Sequence, residues 1–192
     1  MRPVREKWER DGRPAHLREA CEASLRRLKV ERIDLYQMHA PDPNVPYADS
    51  IGELAKLQKE GKIRHVGVSN VDAAQLAEAR GIVEIVSVQN RYNVADRSSD
   101  PVLAVCEQAG IAFIPWSPLS QNPREAGDEN RKALEALAAK RGISVPQAAL
   151  AWLLARSPVM LPIPGTSKRA HLEENVAAGA IRFTPEEMRA IG

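Results

Sequence analysis

The chain lacks any apolar run approaching the roughly 20 residues that cross a bilayer. Its start, MRPVREKWERDGR, is charged where a signal peptide carries an apolar block. No membrane association is expected, and a cytoplasmic location is. A surplus of one charge is also missing: 27 basic residues against 25 acidic leave +2, which is not the basic field that a phosphate backbone requires. Nucleic acid is therefore not an expected partner. Cysteine is scarce. Cys21 and Cys106 stand far apart, each on the apolar stripe of a predicted helix, and both read as reduced core residues. Neither HExxH nor CxxC occurs, and no metal site is expected. A metal-dependent hydrolase barrel would use His39 with His65, but His65 begins its strand, about 13 Å from that strand's far end at ~3.3 Å per residue. What the chain does have, 44% hydrophobic and 27% charged residues over 192 positions, suits a globular protein. A single domain over residues 1–192 is expected, with residues 1–13 as a charged leading segment.

Short β-type runs alternate with helical patterns, and each helix opens on a recognisable cap. RPAHLREACEASLRRL carries Pro14 in its first turn and sets Leu17, Cys21, Leu25 and Leu28 on one face. The strand IDLYQM follows, then a helix expected to start on a Ser50/Glu53 capping box and to stop at Gly61. HVGV is the next strand, and Asp72 with Gln75 caps the helix after it. EIVSVQ leads into a helix opened by Asp100–Pro101 and closed by Gly110. AFIPW is a fourth strand. After a polar loop come two helices, the second capped by Ser144 and Gln147; Trp152, in the almost wholly apolar stretch QAALAWLLA, is assigned to the core. VMLPI reads as a fifth strand, followed by the helix SKRAHLEENVAAGA and one that Thr184 and Glu187 start. Glu60 and Lys62, flanking a helix stop, are expected to face solvent.

Repeated strand–helix units predict a parallel sheet covered by helices, an α/β fold. No turn after a strand reads GxGxxG, which disfavours a doubly wound dinucleotide-binding sheet. A TIM-type (β/α)8 barrel is preferred, here incomplete with about five βα units. In such barrels the working groups stand at the C-terminal strand ends. Those positions hold His39, Ser69 and Asn70, Gln89 and Asn90, Trp116 and Ser117, and the turn Pro164–Ser167. Amides and hydroxyls beside an indole suit a planar, hydrogen-bonding ligand such as a nicotinamide. The PGTS turn, entering a helix with Lys168 and Arg169 just inside it, suits an anion.

DLYQMHAPDP, GKIRHVGVSN, VSVQNRYN, AFIPWSPL and PIPGTSKRAHLEEN resemble, in order and spacing, the corresponding segments of the aldo-keto reductase family. The resemblance runs from about Asp11 almost to the C-terminus. It implies a barrel that binds NADPH, with NADH as the alternative, and reduces small aldehydes or ketones. It makes His39 the catalytic histidine that orients the substrate carbonyl. Ser69, Asn70 and Gln89 would hold the carboxamide, and Trp116 would stack beneath the nicotinamide. Ser117 and Leu119 fall where the family binds the pyrophosphate; Gly165, Thr166, Lys168, His171, Glu174 and Asn175 fall in its adenosine-phosphate segment. Many members carry lysine at the position of Gly165 and arginine at that of His171, so here Lys168 or Arg169 would supply the charge.

The family's tyrosine acid, with its lysine and aspartate, belongs to first strands that have no counterpart in this chain. Lys7 stands in a charged segment without a strand, and neither Tyr36, within a strand, nor Tyr47 and Tyr92, expected in loops, has the neighbouring pattern. With roughly three βα units of about thirty residues missing, the expectation is a truncated reductase. It would either work when the missing part is supplied or persist as a non-catalytic remnant that binds dinucleotide or a partner. Open barrel edges predict self-association or a complementing chain.

Overall fold

The computed structural model describes residues 10–119 and 128–192. Lys7, and most of the polar loop expected after AFIPW, lie outside the described residues. The chain divides into two compact units, Met1–Val86 and Ser87–Gly192.

In the first unit, α1 (Pro14–Leu28) starts with proline at its first position and ends at Lys29, whose left-handed φ of 56° turns the chain toward the first strand. Leu17 and Cys21 are buried, but the expected stripe does not continue to Leu28, which is 61% exposed. Strands β1 (Ile33–Met38) and β2 (Ile63–Ser69) pair in parallel, from Ile33 opposite Ile63 to Met38 opposite Val68. They are joined by α2 (Tyr47–Lys59), and α3 (Ala73–Ile82) follows. The burial of the two strands differs. β2 buries Val66 through Ser69 without alternation, as a strand covered on both faces does, whereas β1 leaves Asp34 and Leu35 exposed.

Two expectations for α2 are corrected. The helix opens at Tyr47 behind Pro46, so Ser50 and Glu53 are not its capping box but interior residues, both buried. Pro46, with its fixed φ, starts the helix a turn early, and the Ser50 hydroxyl is used elsewhere. Tyr47, expected in a loop, begins the helix. Glu60 and Lys62 do more than face solvent: Arg18 of α1 bonds Glu60 at 2.7 Å and reaches Glu53 at 2.7 Å, while Lys62 bonds Glu22 at 2.6 Å. The expected Gly61 stop holds, with φ 76° just past the helix, as does the Asp72/Gln75 capping box of α3.

The second unit contains most of β3 (Ile85–Arg91), whose first two residues belong to the first unit, and β4 (Ala112–Trp116), paired in parallel from Ser87 opposite Ala112 to Arg91 opposite Trp116. α4 (Asp100–Ala109) connects them and closes on Gly110 at φ 65°. The expected fifth strand is a single parallel bridge, Phe113 to Met160, held by Phe113 N–H to Val159 O and Leu161 N–H to Phe113 O, both 2.8 Å. Pro115, the next residue of β4 facing this segment after Phe113, has no N–H to extend the ladder. Helices α5 (Glu129–Arg141), α6 (Val145–Arg156), α7 (Arg169–Ala177) and α8 (Pro185–Ile191) complete the unit. Both expected capping boxes, Ser144/Gln147 and Thr184/Glu187, are present. α6 buries six consecutive residues, Ala148–Leu153. Trp152, wholly buried, stacks on Tyr92 at 6.0 Å between centroids, and Tyr92 meets Phe113 edge-on at 5.7 Å. α7, by contrast, buries no residue. Cys21 and Cys106 are both buried. Among the described residues no helix is long and apolar enough to cross a membrane.

Candidate active site

In the first unit, the register that sets Met38 beside Val68 carries the next residue, His39, to the side of Ser69. Asn70 closes the arrangement. Its φ of 57° lies in the left-handed region, which asparagine tolerates better than most residues. From there Nδ2 donates to the His39 carbonyl at 2.8 Å and to Ser69 Oγ at 3.0 Å. One amide thus ties together the ends of two strands. Ser69 is buried and His39 exposed, so the imidazole is not a packing group. A cavity of about 500 Å³ opens here, lined by Tyr36, Gln37, His39 and Asn70 on one side and by Asp11 and His16 on another.

The support behind His39 was not read from the sequence. Asp42, the last residue of DLYQMHAPD, accepts from the Gly12 N–H at 3.0 Å and from the Asn44 N–H at 2.9 Å. Ser50 Oγ donates to the Gly12 carbonyl at 2.7 Å. The two backbone N–H donors hold the Asp42 carboxyl below the usual carboxylate range. A methyl group on Gly12 would lie 2.9 Å from Asp42 Cβ, so only glycine fits this crossing. The Asx turn at Asp42–Pro43–Asn44 was the available signal; its partner thirty residues upstream left none.

In the second unit, Gln89 lies two residues before Arg91, which pairs with Trp116 at the end of β4. The Arg91 guanidinium sits 5.8 Å from the Trp116 ring centroid and bonds Asp96 at 2.6 Å, leaving the indole 37% exposed. Asn90 is buried and donates to Ser99 Oγ at 3.2 Å, a structural bond rather than a group on display. Ser117 follows in the left-handed region at φ 55°, a placement that costs a non-glycine residue on the order of 1 kcal/mol. Ser117, Leu119 and Gly165 line one pocket of about 190 Å³ with Pro118, Ile163 and Pro164. A Cβ on Gly165 would meet nothing within 4 Å; its glycine is not demanded by crowding, and the space over it is open. Thr166 Oγ1 accepts from the Lys168 N–H at 3.1 Å, setting the entry to α7, whose first turn has no side-chain cap. His171, Glu174 and Asn175 share one face of α7 by their spacing. The Glu174 carbonyl accepts from Gln147 of α6 at 3.4 Å.

Burial pushes the phenol pKa of Tyr36, Tyr47 and Tyr92 upward, and Tyr92 also donates to Asp100 at 2.6 Å.

The profile of the Aldo/keto reductase family matches residues 3–192. The chain belongs to that family. An uncharacterized oxidoreductase of Schizosaccharomyces pombe is 48% identical over 179 residues, which cover 93% of this chain and 58% of the relative. Pyridoxine 4-dehydrogenase of Escherichia coli is 39% identical over 186 residues, covering 93% and 63%. The chain thus spans about three fifths of the length of these curated relatives. Among solved structures, an aldo/keto reductase from Klebsiella pneumoniae in complex with NADP and acetate superposes with a TM-score of 0.81 at 31% identity, over 94% of this chain and 65% of that one. The aldo-keto reductase fold read from the strand-end segments is therefore borne out, and with it the parallel α/β architecture of the (β/α)8 barrel.

Proposed function

We propose that the chain carries the substrate-orienting and dinucleotide-holding residues of an NADPH-dependent carbonyl reductase acting on small aldehydes or ketones. The observation that supports this most is the Asn70 amide, which fixes His39 and Ser69 to one another at the ends of β1 and β2. A histidine held by its own backbone in this way can keep an imidazole N–H aimed at a carbonyl oxygen.

The residues present fit a nicotinamide dinucleotide. The space over Gly165 is open, Ser117 lines it, and the start of α7, without a side-chain cap, offers N–H groups beside Lys168 and Arg169 to an anion. Ser69, Asn70 and Gln89 would hold the carboxamide. Trp116, one face covered by Arg91, would present the other to the ring. Ser117 and Leu119 would take the pyrophosphate; Gly165, Thr166, Lys168, His171, Glu174 and Asn175 would take the adenosine phosphate. When bound, the reduced nicotinamide supplies a hydride. We assign the proton for the alkoxide to none of Tyr36, Tyr47 and Tyr92, whose phenol pKa burial raises.

The test mixes purified chain with NADPH and an aromatic aldehyde while following reduced-cofactor absorbance and tryptophan fluorescence. Quenching without turnover is expected of the chain alone. Turnover is expected on adding the tyrosine- and lysine-bearing first strands of a family member, and His39→Ala should abolish it without weakening NADPH binding. Absence of quenching would remove the dinucleotide reading.

A further inference from the structure

We infer that Asn93 is a positioning residue for the loop after β4: its side-chain amide holds Ser117 in the left-handed conformation and so fixes the pocket shared by Ser117, Leu119 and Gly165. This deepens the dinucleotide reading above and rests on it for the ligand, though not for the tether.

Asn93 is wholly buried. Its Oδ1 accepts from the N–H groups of Ala95 and Asp96, both at 2.9 Å, and its own N–H donates to the Asp96 carbonyl at 3.0 Å. These bonds immobilise the side chain and leave Nδ2 directed at the Ser117 carbonyl, 3.1 Å away. The residue before it grips the residue before Ser117: Tyr92 N–H donates to the Trp116 carbonyl at 3.3 Å. Tyr92 is in turn rigid, stacked on Trp152 and bonded through its hydroxyl to Asp100, which also takes Arg156 at 3.0 Å. Two consecutive carbonyls, those of Trp116 and Ser117, are therefore held by two consecutive, anchored residues.

The tether is needed because serine has no intrinsic preference for φ 55°. Released, Ser117 would return to negative φ, and its hydroxyl and the following Pro118–Leu119 backbone would turn away from Gly165. A buried amide satisfied at both ends is costly to replace by anything that keeps one function and reverses the other. Aspartate does that. Its oxygens still accept from Ala95 and Asp96, but it offers Ser117 a carboxylate where Asn93 offers an N–H.

The experiment compares Asn93→Asp with the unmodified 192-residue chain by backbone hydrogen exchange and by binding of two probes, NADPH and adenosine 2′,5′-bisphosphate. Asn93→Asp is expected to speed exchange across residues 115–119 while α6 stays protected. It should weaken NADPH about tenfold, leaving the bisphosphate, which lacks the pyrophosphate assigned to Ser117 and Leu119, unchanged. Unaltered exchange at 115–119 would overturn the proposal, and so would parallel loss of both probes together with α6 protection, since that marks a merely structural residue. If the unmodified chain binds no NADPH, the dinucleotide reading fails while exchange still decides the tether. Should Asn93→Asp not fold, a scalar coupling across the hydrogen bond between Asn93 Nδ2 and the Ser117 carbonyl carbon of the unmodified chain decides it; its absence would overturn the assignment.

Discussion

At the scale of single residues, the candidate groups and the groups that hold them were unequally visible. His39, Ser69 and Asn70 could be read from their places at strand ends, and the structure joins all three by one amide. Gly12, Asp42 and Ser50 could not, because their hydrogen bonds link positions thirty or more apart and no local pattern encodes such a crossing. Ser50 was even assigned to a cap, since a serine three residues before a glutamate fits that motif wherever it falls. The crossing makes a sharp prediction. Gly12→Ala should destabilise the first unit by about 1–3 kcal/mol, the range for forcing a methyl group into a filled site, as seen in urea unfolding followed by circular dichroism. No change in midpoint would mean that Asp42 and Gly12 can part without loss. Trp152→Ala should cost about 3–5 kcal/mol, as large aromatic truncations in cores do, with the loss read from a thermal melt; its stacking on Tyr92 adds the second ring to the damage.

At the scale of elements, the helices were legible wherever a capping box sat at the true boundary, as at Asp72, Ser144 and Thr184. They were misread where proline outcompeted the box, as at Pro46. The strands were legible by their apolar runs, but VMLPI reads as a strand and forms one bridge, since its own periodicity takes no account of the missing N–H of Pro115 on the neighbouring β4. α8 illustrates an electrostatic consequence. Arg141 of α5 bonds Glu187 and holds its carboxyl at about 2, while the Glu187 side chain also closes the capping box with Thr184. A carboxylate depressed on folding contributes stability above its ordinary pKa and loses it as pH falls from the ordinary glutamate range toward about 2. Glu60, held at about 2 by Arg18 and Lys62, acts in the same direction and window. Glu187→Gln keeps a capping side chain but removes the charge, so it should be less stable than the parent at neutral pH and nearly equal to it near pH 2. Urea midpoints across that range check this, and a constant difference at all pH values would refute the coupling.

At the scale of the whole molecule, the family and the α/β parallel architecture were legible because the segments that carry them are short, ordered and spaced by the repeat of the fold. What periodicity could not foresee is how much apolar surface the described residues leave uncovered. In the first unit Leu28, Val30 and Leu35 are exposed; in the second, Leu161, Ile163, Leu172 and Val176 are, the last at 71%. Exposed groups of this kind on neighbouring elements favour association. The 192-residue chain is expected to sediment as a concentration-dependent mixture above monomer mass, and the double change Leu172→Glu, Val176→Lys on α7 should shift it toward monomer without altering its circular dichroism. α7 buries no side chain, so the substitutions disturb no packing. A parent chain that stays monomeric at every concentration would contradict the expectation.

The prolines at 162 and 164 bear on what kind of association that can be. A flank of backbone without donors offers no template on which a further β-strand can dock. Aggregates that use this margin must therefore be stuck together by side chains, soluble on dilution and silent to thioflavin, rather than growing by strand addition into fibres.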